Sequence, residues 1–138
     1  MSSKLISIII PTYNRPKELY RALKSIKTHY SGFIEIIVCD DNSDIKNQAL
    51  NTKVIEEYKS KNEIEIVYLL NKRNKGVSGA RNSAIDISIG KWLLFLDDDD
   101  ELNEGYLDLV YLQVNKNSNI DFFWANIYIK KNQSDKSS

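Results

Sequence analysis

The sequence has 138 residues, of which 42% are hydrophobic, enough to bury the core of one domain. Its 19 basic and 19 acidic residues cancel, which excludes the strong positive field that recruits nucleic acid or an anionic membrane. The single cysteine, Cys39, excludes an internal disulfide framework and favours a reducing cytoplasm, and no apolar run reaches the roughly 18 residues that span a bilayer. We therefore expect a cytoplasmic protein without a membrane span.

Short β-branched runs alternate with amphipathic stretches along the chain. Strands are predicted at residues 5–10, where Pro11 ends the run, and at 35–39, 64–70, 91–96 and 121–131. Helices are predicted between them: one from Pro16 that buries Leu19, Leu23 and Ile26; one capped by Ser43 or Asp44 that buries Leu50, Val54, Ile55 and Tyr58; one capped by Ser78 that runs to residue 89; and one that includes Leu102, Tyr106, Leu109, Val110 and Leu112. This alternation predicts an α/β fold with a mainly parallel sheet and helices on both faces. We expect residues 1–131 to form one domain and residues 132–138 to be a disordered polar tail.

Polar residues follow the first, second and fourth predicted strands, and a basic loop follows the third. In a parallel sheet the carboxyl ends of the strands share one edge, where ligands bind. Thr12 and Asn14, Asp40 and Asp41, and residues 97–100 would therefore lie near one another. This convergence predicts a ligand-binding site.

Four consecutive aspartates, Asp97, Asp98, Asp99 and Asp100, follow the fourth strand. Packing four carboxylates together is unfavourable unless solvent or a cation relieves their repulsion, and carboxylates are suitable ligands for Mg²⁺ or Mn²⁺. The alternative is a solvated acidic turn in which Asp99 or Asp100 caps a helix that begins near Glu101.

The loop at residues 71–79 combines glycines and basic side chains before a predicted helix, which is an arrangement suited to a diphosphate. Arg81 lies in the first turn of that helix, where a cation opposes the helix dipole, and so indicates an anionic partner. The alternative is an ordinary flexible surface loop. Similarly, Asp40 and Asp41 could accept hydrogen bonds from a nucleobase or ribose, or could form a turn that caps the second helix.

Four blocks of the sequence occur in a characteristic order: residues 8–15 (IIIPTYNR), 38–43 (VCDDNS), 74–82 (NKG, then ARN) and 95–100 (FLDDDD). Together they resemble the signatures of family 2 glycosyltransferases, over about residues 4–110. The resemblance implies a Rossmann-like GT-A fold and transfer of a sugar, with inversion, from a nucleoside-diphosphate sugar in polysaccharide biosynthesis. It favours a UDP-sugar as donor and Mn²⁺ or Mg²⁺ as cofactor.

The resemblance also implies roles for individual residues. The nucleotide sugar would be bound by Pro11, Thr12, Tyr13, Asn14, Asp41, Gly76, Arg81, Asp97 and Asp98. The metal would be held by Asp99, with Asp97 and Asp100 as further candidate ligands. Asp41 would contact the base, and Arg81 would contact the diphosphate or the base.

Family members are longer, and their later half supplies the acceptor site and the general base. We therefore expect this chain to be the donor-binding portion, with the general base elsewhere. The acceptor would be a carbohydrate or a lipid-linked sugar at the inner face of the membrane, and the aromatic strand at 121–131 could expose an edge for self-association. Two alternatives remain open: a sugar nucleotidyltransferase and a non-catalytic nucleotide-sugar-binding module.

Overall fold

The computed structural model describes residues 3–116. Its strands are β1 (Ile6–Thr12), β2 (Ile34–Asp40), β3 (Glu65–Leu70) and β4 (Trp92–Phe95). Its helices are α1 (Pro16–Lys24), α2 (Ile45–Lys61), α3 (Val77–Ile87) and α4 (Tyr106–Lys116), with a short 3₁₀ turn at Ser31–Phe33. The strands form a parallel sheet in the order β3-β2-β1-β4. The predicted α/β fold is therefore confirmed.

Helices cover both faces of the sheet, and the central strands β1 and β2 are buried throughout, whereas Val67 of β3 and Leu93 and Phe95 of β4 are 38 to 47% exposed. On one face, α1, α2 and α4 cover a core that includes Ile8, Ile10, Ile36 and Val38. On the other face, α3 packs Ala80 and Ala84 against Ile9, Ile37 and Cys39, and because these helix residues are small, α3 lies close to the sheet. Leu50, predicted as a core residue of α2, is instead 38% exposed.

The first strand extends two residues further than predicted and includes Pro11 and Thr12. Pairing between β1 and β4 ends at Ile9, whose carbonyl accepts the final hydrogen bond from the Leu96 N–H. The backbone nitrogen of Pro11, like the backbone groups of Ile9, points to the edge of β1 that pairs with β4. At Pro11, β4 no longer offers a hydrogen-bond partner. The missing N–H of proline therefore breaks no hydrogen bond in the sheet.

Neither predicted side-chain cap forms, although Asp44 does occupy the N-cap position of α2. Helix α3 begins at Val77 and is preceded by Gly76, whose φ of 123° favours glycine, so Ser78 lies inside the helix. Helix α2 begins after Asp44, but neither Asp44 nor Ser43 caps it with a side chain. Asn14, in the β1–α1 loop, instead fixes the start of α2, because its Oδ1 accepts a hydrogen bond at 2.9 Å from the N–H of Asp44, the residue at the N-cap position.

The strand predicted at 121–131 and the tail predicted at 132–138 lie outside the described residues. Among residues 3–116, no helix is both long and apolar enough to cross a membrane.

Asp108 ties the start of α4 to the segment after α1. Its Oδ1 accepts hydrogen bonds from Thr28 Oγ1 at 2.5 Å and from the His29 N–H at 3.1 Å, and its Oδ2 lies 2.6 Å from His29 Nδ1. Burial raises the pKa of Asp108, but the hydrogen bonds from Thr28 and His29 together outweigh burial, so its pKa is lowered. A lowered carboxyl pKa stabilises the fold above the unfolded-state pKa, and this stabilisation is lost as the pH falls through the folded-state pKa.

We expect Asp108→Asn to lower the free energy of unfolding by about 1 kcal/mol at pH 7, because an amide cannot accept all of these hydrogen bonds. The difference from the wild type should shrink as the pH falls below the ordinary carboxyl pKa of about 4 and through the lowered pKa of folded Asp108. Urea unfolding at pH 7 and pH 3 would measure both. Glu104→Gln, exposed just before α4, is the matched control. An equal loss at both pH values would contradict this account.

Candidate functional site

A cleft of about 370 Å³ opens at the carboxyl ends of β1 and β4. The chain passes from β1 outward to β2 and β3 and then crosses to the opposite side of β1 to form β4. The strand order therefore reverses between β1 and β4, and open parallel sheets bind ligands at such a point. The cleft is lined by Pro11, Thr12, Tyr13, Arg15, Asp41, Val77, Ala80, Arg81, Asp97, Asp98 and Asp99.

Asp98 joins the ends of β1 and β4. Its Oδ2 accepts a hydrogen bond from Thr12 Oγ1 at 2.9 Å, and its Oδ1 lies 3.5 Å from Arg15 Nη1. Asp98 is only 7% exposed, and burial raises the pKa of its carboxyl. The Asp98 side chain is therefore engaged by protein groups on both of its oxygens.

The other three aspartates of the run form an acidic cluster. Asp97, Asp99 and Asp100 each place one carboxylate oxygen so that the three oxygens lie within 4.8 Å of one another. Burial, followed by the charges of Asp99 and Asp97, raises the pKa of Asp100. Three converging carboxylate oxygens are a donor set suited to Mg²⁺ or Mn²⁺. The capping part of the alternative is wrong, because α4 begins only at Tyr106. The acidic turn itself is present: the Asp100 N–H donates to the Asp97 carbonyl at 3.0 Å, and Asp97 and Asp99 are exposed.

Arg81 lies in the first turns of α3 and points to the acidic cluster. Its Nη2 donates a hydrogen bond to Asp97 Oδ1 at 2.7 Å. Its Nε is buried and has no hydrogen-bond partner among residues 3–116. Arg81 lines the cleft, and a guanidinium there is able to bind an anionic ligand.

Asp41 holds the loop between β3 and α3 in place through two hydrogen bonds. Its Oδ1 accepts a hydrogen bond from Asn71 Nδ2 at 2.8 Å, and its Oδ2 accepts one from the Gly76 N–H at 2.9 Å. Each carboxylate oxygen has a second lone pair. Asp41 is therefore able to hold the loop and still accept a hydrogen bond from a ligand in the cleft.

Asp40 has a different position from its neighbour Asp41. It is fully buried, and its Oδ1 accepts hydrogen bonds from the Ser43 N–H at 2.9 Å and from Ser43 Oγ at 2.5 Å. Its Oδ2 accepts hydrogen bonds from Tyr68 Oη and, at 3.4 Å, from Asn51 Nδ2. For Asp40 the turn-forming alternative holds, whereas Asp41 lines the cleft.

Tyr13 contributes an aromatic surface to the cleft. Its side chain is 42% exposed, and Lys75 Nζ lies 5.1 Å from the centre of its ring. An exposed ring beside a cation is able to stack on a planar base while the cation faces phosphate.

Two residues that the resemblance assigned to the nucleotide do not line the cleft. Asn14, with a φ of 52°, turns its side chain to α2, where its Oδ1 accepts hydrogen bonds from the Asp44 N–H and from Asn47 Nδ2. Gly76 acts through its backbone N–H on Asp41. Both residues shape the loops around the cleft.

A family model described as "Glycosyl transferase family 2" matches residues 7–137. The chain belongs to this family.

Two bacterial glycosyltransferases are similar to this chain in sequence. One is a GalNAc(5)-diNAcBac-PP-undecaprenol beta-1,3-glucosyltransferase of Campylobacter jejuni, 38% identical over 112 residues, which are 80% of this chain and 35% of the relative. The other is the UDP-Glc:alpha-D-GlcNAc-diphosphoundecaprenol beta-1,3-glucosyltransferase WfgD of Escherichia coli, 35% identical over 135 residues, which are 97% of this chain and 50% of the relative.

A solved structure shows the relationship in three dimensions. S. aureus TarS 1-349 in complex with UDP matches the family 2 chain with a TM-score of 0.70 and 26% sequence identity. The match covers 83% of this chain and 33% of TarS 1-349. The GT-A fold that the resemblance implied is confirmed, and the chain spans half or less of the length of these relatives.

Arg15 lines the cleft of this family 2 chain but was not among the predicted site residues. A signal for it was present in the sequence, because Arg15 directly precedes a helix that Pro16 begins. A cation at the start of a helix opposes the helix dipole, and the same reason made Arg81 a candidate for binding an anion. The sequence did not reveal that β4 would place Asp98 and Asp99 beside Arg15.

Proposed function

We propose that the chain is the donor-binding part of an inverting glycosyltransferase that uses a UDP-sugar. Its acceptor would be a hydroxyl of a carbohydrate or lipid-linked sugar at the cytoplasmic face of a membrane. The observation that carries the proposal is the cleft itself, in which two arginines and a cluster of carboxylates lie side by side at the strand-order reversal. Family membership favours sugar transfer over the nucleotidyltransferase alternative.

The proposed donor carries features that match separate parts of the cleft. The Tyr13 ring would stack on the uracil, and Asp41 would accept a hydrogen bond from the imide N–H of the base. Pro11, Thr12 and Asn14 would shape the nucleoside pocket, two of them as part of its lining. Arg81, whose guanidinium lines the cleft, would donate to the diphosphate.

The acidic cluster is proposed to hold Mn²⁺ or Mg²⁺ through Asp99, with Asp97 and Asp100 as partners. Three hard oxygen donors within 4.8 Å of one another fit either ion. A bound divalent cation would supply Lewis-acid neutralisation of the diphosphate. Asp98, buried and bonded to Thr12, would position this cluster against β1 instead of binding the ion.

In the reaction, an acceptor hydroxyl would attack the anomeric carbon from the side opposite the diphosphate. The new glycosidic bond would form as the bond to the diphosphate oxygen breaks and a general base takes the hydroxyl proton, so that UDP leaves and the anomeric configuration inverts. Arg81 would stabilise negative charge on the leaving group, where preorganised donors lower the barrier most. We assign the general base to none of the residues that the structure describes.

We expect UDP to bind at least about tenfold more tightly with Mn²⁺ than with a chelator, and Asp99→Ala to abolish that difference. The reason is that Asp99 is one of the three carboxylates that converge on the proposed ion site. Isothermal titration calorimetry with UDP, in the presence of Mn²⁺ or EDTA, would measure the effect. Titrations with GDP and CMP would test the preference for uracil.

The matched control is Asp86→Ala, which removes an exposed carboxylate that pairs with Arg73. This variant should keep the full dependence on Mn²⁺. Equal UDP affinity of the wild type in Mn²⁺ and in EDTA would disprove the metal role. A failure of the wild type to bind any of the three nucleotides would disprove the donor-binding function.

A further inference from the structure

Two arginines hold the acidic cluster from different elements. Arg15, from the β1–α1 loop, places Nη1 3.5 Å from Asp99 Oδ2 and 3.5 Å from Asp98 Oδ1. Arg81, from α3, donates to Asp97 Oδ1 at 2.7 Å. Two of the three carboxylates that converge on the proposed ion site are therefore already paired with a guanidinium.

A divalent cation and these guanidinium groups compete for the same carboxylates. Without a cation, three converging carboxylates repel one another, and each arginine relieves part of that repulsion. When a divalent cation binds those oxygens, it repels the guanidinium groups and neutralises the carboxylates. The ion pairs between the guanidinium groups and the carboxylates are therefore weakened.

Both side chains have room to move. The Arg15 side chain is 51% exposed, and its contacts with Asp98 and Asp99 are at 3.5 Å, longer than a strong charge-assisted hydrogen bond. The Arg81 side chain is 35% exposed and leaves its Nε unpaired. Both arginines line the same cleft, so a guanidinium that leaves its carboxylate remains beside the ligand.

We propose that Arg15 and Arg81 are exchangeable counter-ions of the acidic cluster. They hold Asp99 and Asp97 in the metal-free protein, and a divalent cation displaces them onto the diphosphate of the nucleotide. Arg15 thereby becomes a second diphosphate-binding residue alongside Arg81. This proposal rests on the proposed donor-binding function and adds to it that metal binding releases the anion-binding groups.

The proposal makes opposite predictions for metal and nucleotide. Arg15→Gln and Arg81→Gln should each bind Mn²⁺ about 3- to 10-fold more tightly than the wild type when no nucleotide is present, because a competing cation has been removed. The same variants should bind UDP about tenfold more weakly at saturating Mn²⁺, because a charge-assisted donor has been lost. Electron paramagnetic resonance of free Mn²⁺ would measure the first effect, and calorimetry would measure the second.

Two further variants separate this effect from general loss of charge or of packing. Arg21→Gln removes the same charge from an exposed position in α1 and should change neither affinity. Arg15→Lys keeps the positive charge, so its Mn²⁺ affinity should stay near that of the wild type. If the wild type binds UDP with Mn²⁺ but the glutamine variants bind Mn²⁺ no more tightly, the exchange is disproved and the donor-binding function stands. If the wild type shows no binding of UDP with Mn²⁺, both proposals fail.

Discussion

Replacing Asp40 with alanine is expected to lower the free energy of unfolding by about 3 to 5 kcal/mol, the largest effect that we predict. The Asp40 carboxylate is fully buried and accepts hydrogen bonds from Ser43, Asn51 and Tyr68. Alanine would leave the Ser43 N–H and the Ser43 and Tyr68 hydroxyls without this acceptor, while Asn51 Nδ2 would keep only Tyr68 Oη at 3.4 Å. Each buried unpaired donor costs about 1 to 3 kcal/mol. Urea unfolding followed by circular dichroism would measure the loss.

A double-mutant cycle with Tyr68→Phe tests the physical reason. If unpaired donors dominate the loss, removing the Tyr68 hydroxyl should cost less stability in the Asp40→Ala background than in the wild type. Glu63→Ala, at an exposed position after α2, is the control and should stay within about 0.5 kcal/mol of the wild type. A loss below about 1 kcal/mol for Asp40→Ala would show that the network adds little to stability.

Gly79→Ala is the second large effect, and here two terms oppose each other. Alanine in place of glycine normally stabilises a helix by about 0.5 to 1 kcal/mol. A Cβ on Gly79, however, would lie 1.7 Å from the Asn74 carbonyl oxygen and 2.8 Å from its carbon. Backbone atoms cannot rotate away as a side chain can, so the cost of the clash should exceed the gain in helix stability. We expect a net loss of about 3 kcal/mol in the free energy of unfolding.

The clash in Gly79→Ala should also weaken binding, because the displaced loop is the one that Asn71 and Gly76 fasten to Asp41. We expect UDP affinity to fall at least about tenfold, measured by calorimetry below the unfolding temperature. Gly32→Ala is the matched control, since a Cβ there meets no described atom within 4 Å. Unchanged stability and affinity of Gly79→Ala would mean that the loop does not need its close approach to α3.

The α/β pattern was predictable from sequence because buried strands and amphipathic helices have distinct periods. The alternation of β-branched runs with the Leu19 and Leu23 stripe of α1 led directly to a parallel sheet, and that sheet was found. The predictions failed where a local sequence rule was overridden by a contact between distant parts of the chain. Pro11 did not end β1, because its nitrogen lies on the edge of the strand where pairing with β4 has already ended, so no hydrogen bond is lost.

The gathering of strand-end groups into one cleft was also predictable, because topology alone places them there. The direction of each side chain was not. Asn14 turns to α2, and Asp40 lies in the core while its neighbour Asp41 lines the cleft. Arg15 joined the cleft through long-range pairing with Asp98, a contact that no local pattern encodes.

The buried position of Cys39 has a practical consequence for studying the cleft. Cys39 is the single cysteine of the chain; it lies beneath α3, and burial, followed by the charges of Asp40 and Asp41, raises the pKa of its thiol to about 11. A thiol that is both enclosed and protonated reacts slowly with maleimides and iodoacetamides. A cysteine introduced on the cleft rim would therefore carry a fluorophore selectively on the native background, and loop movement could be recorded optically as UDP and Mn²⁺ are added.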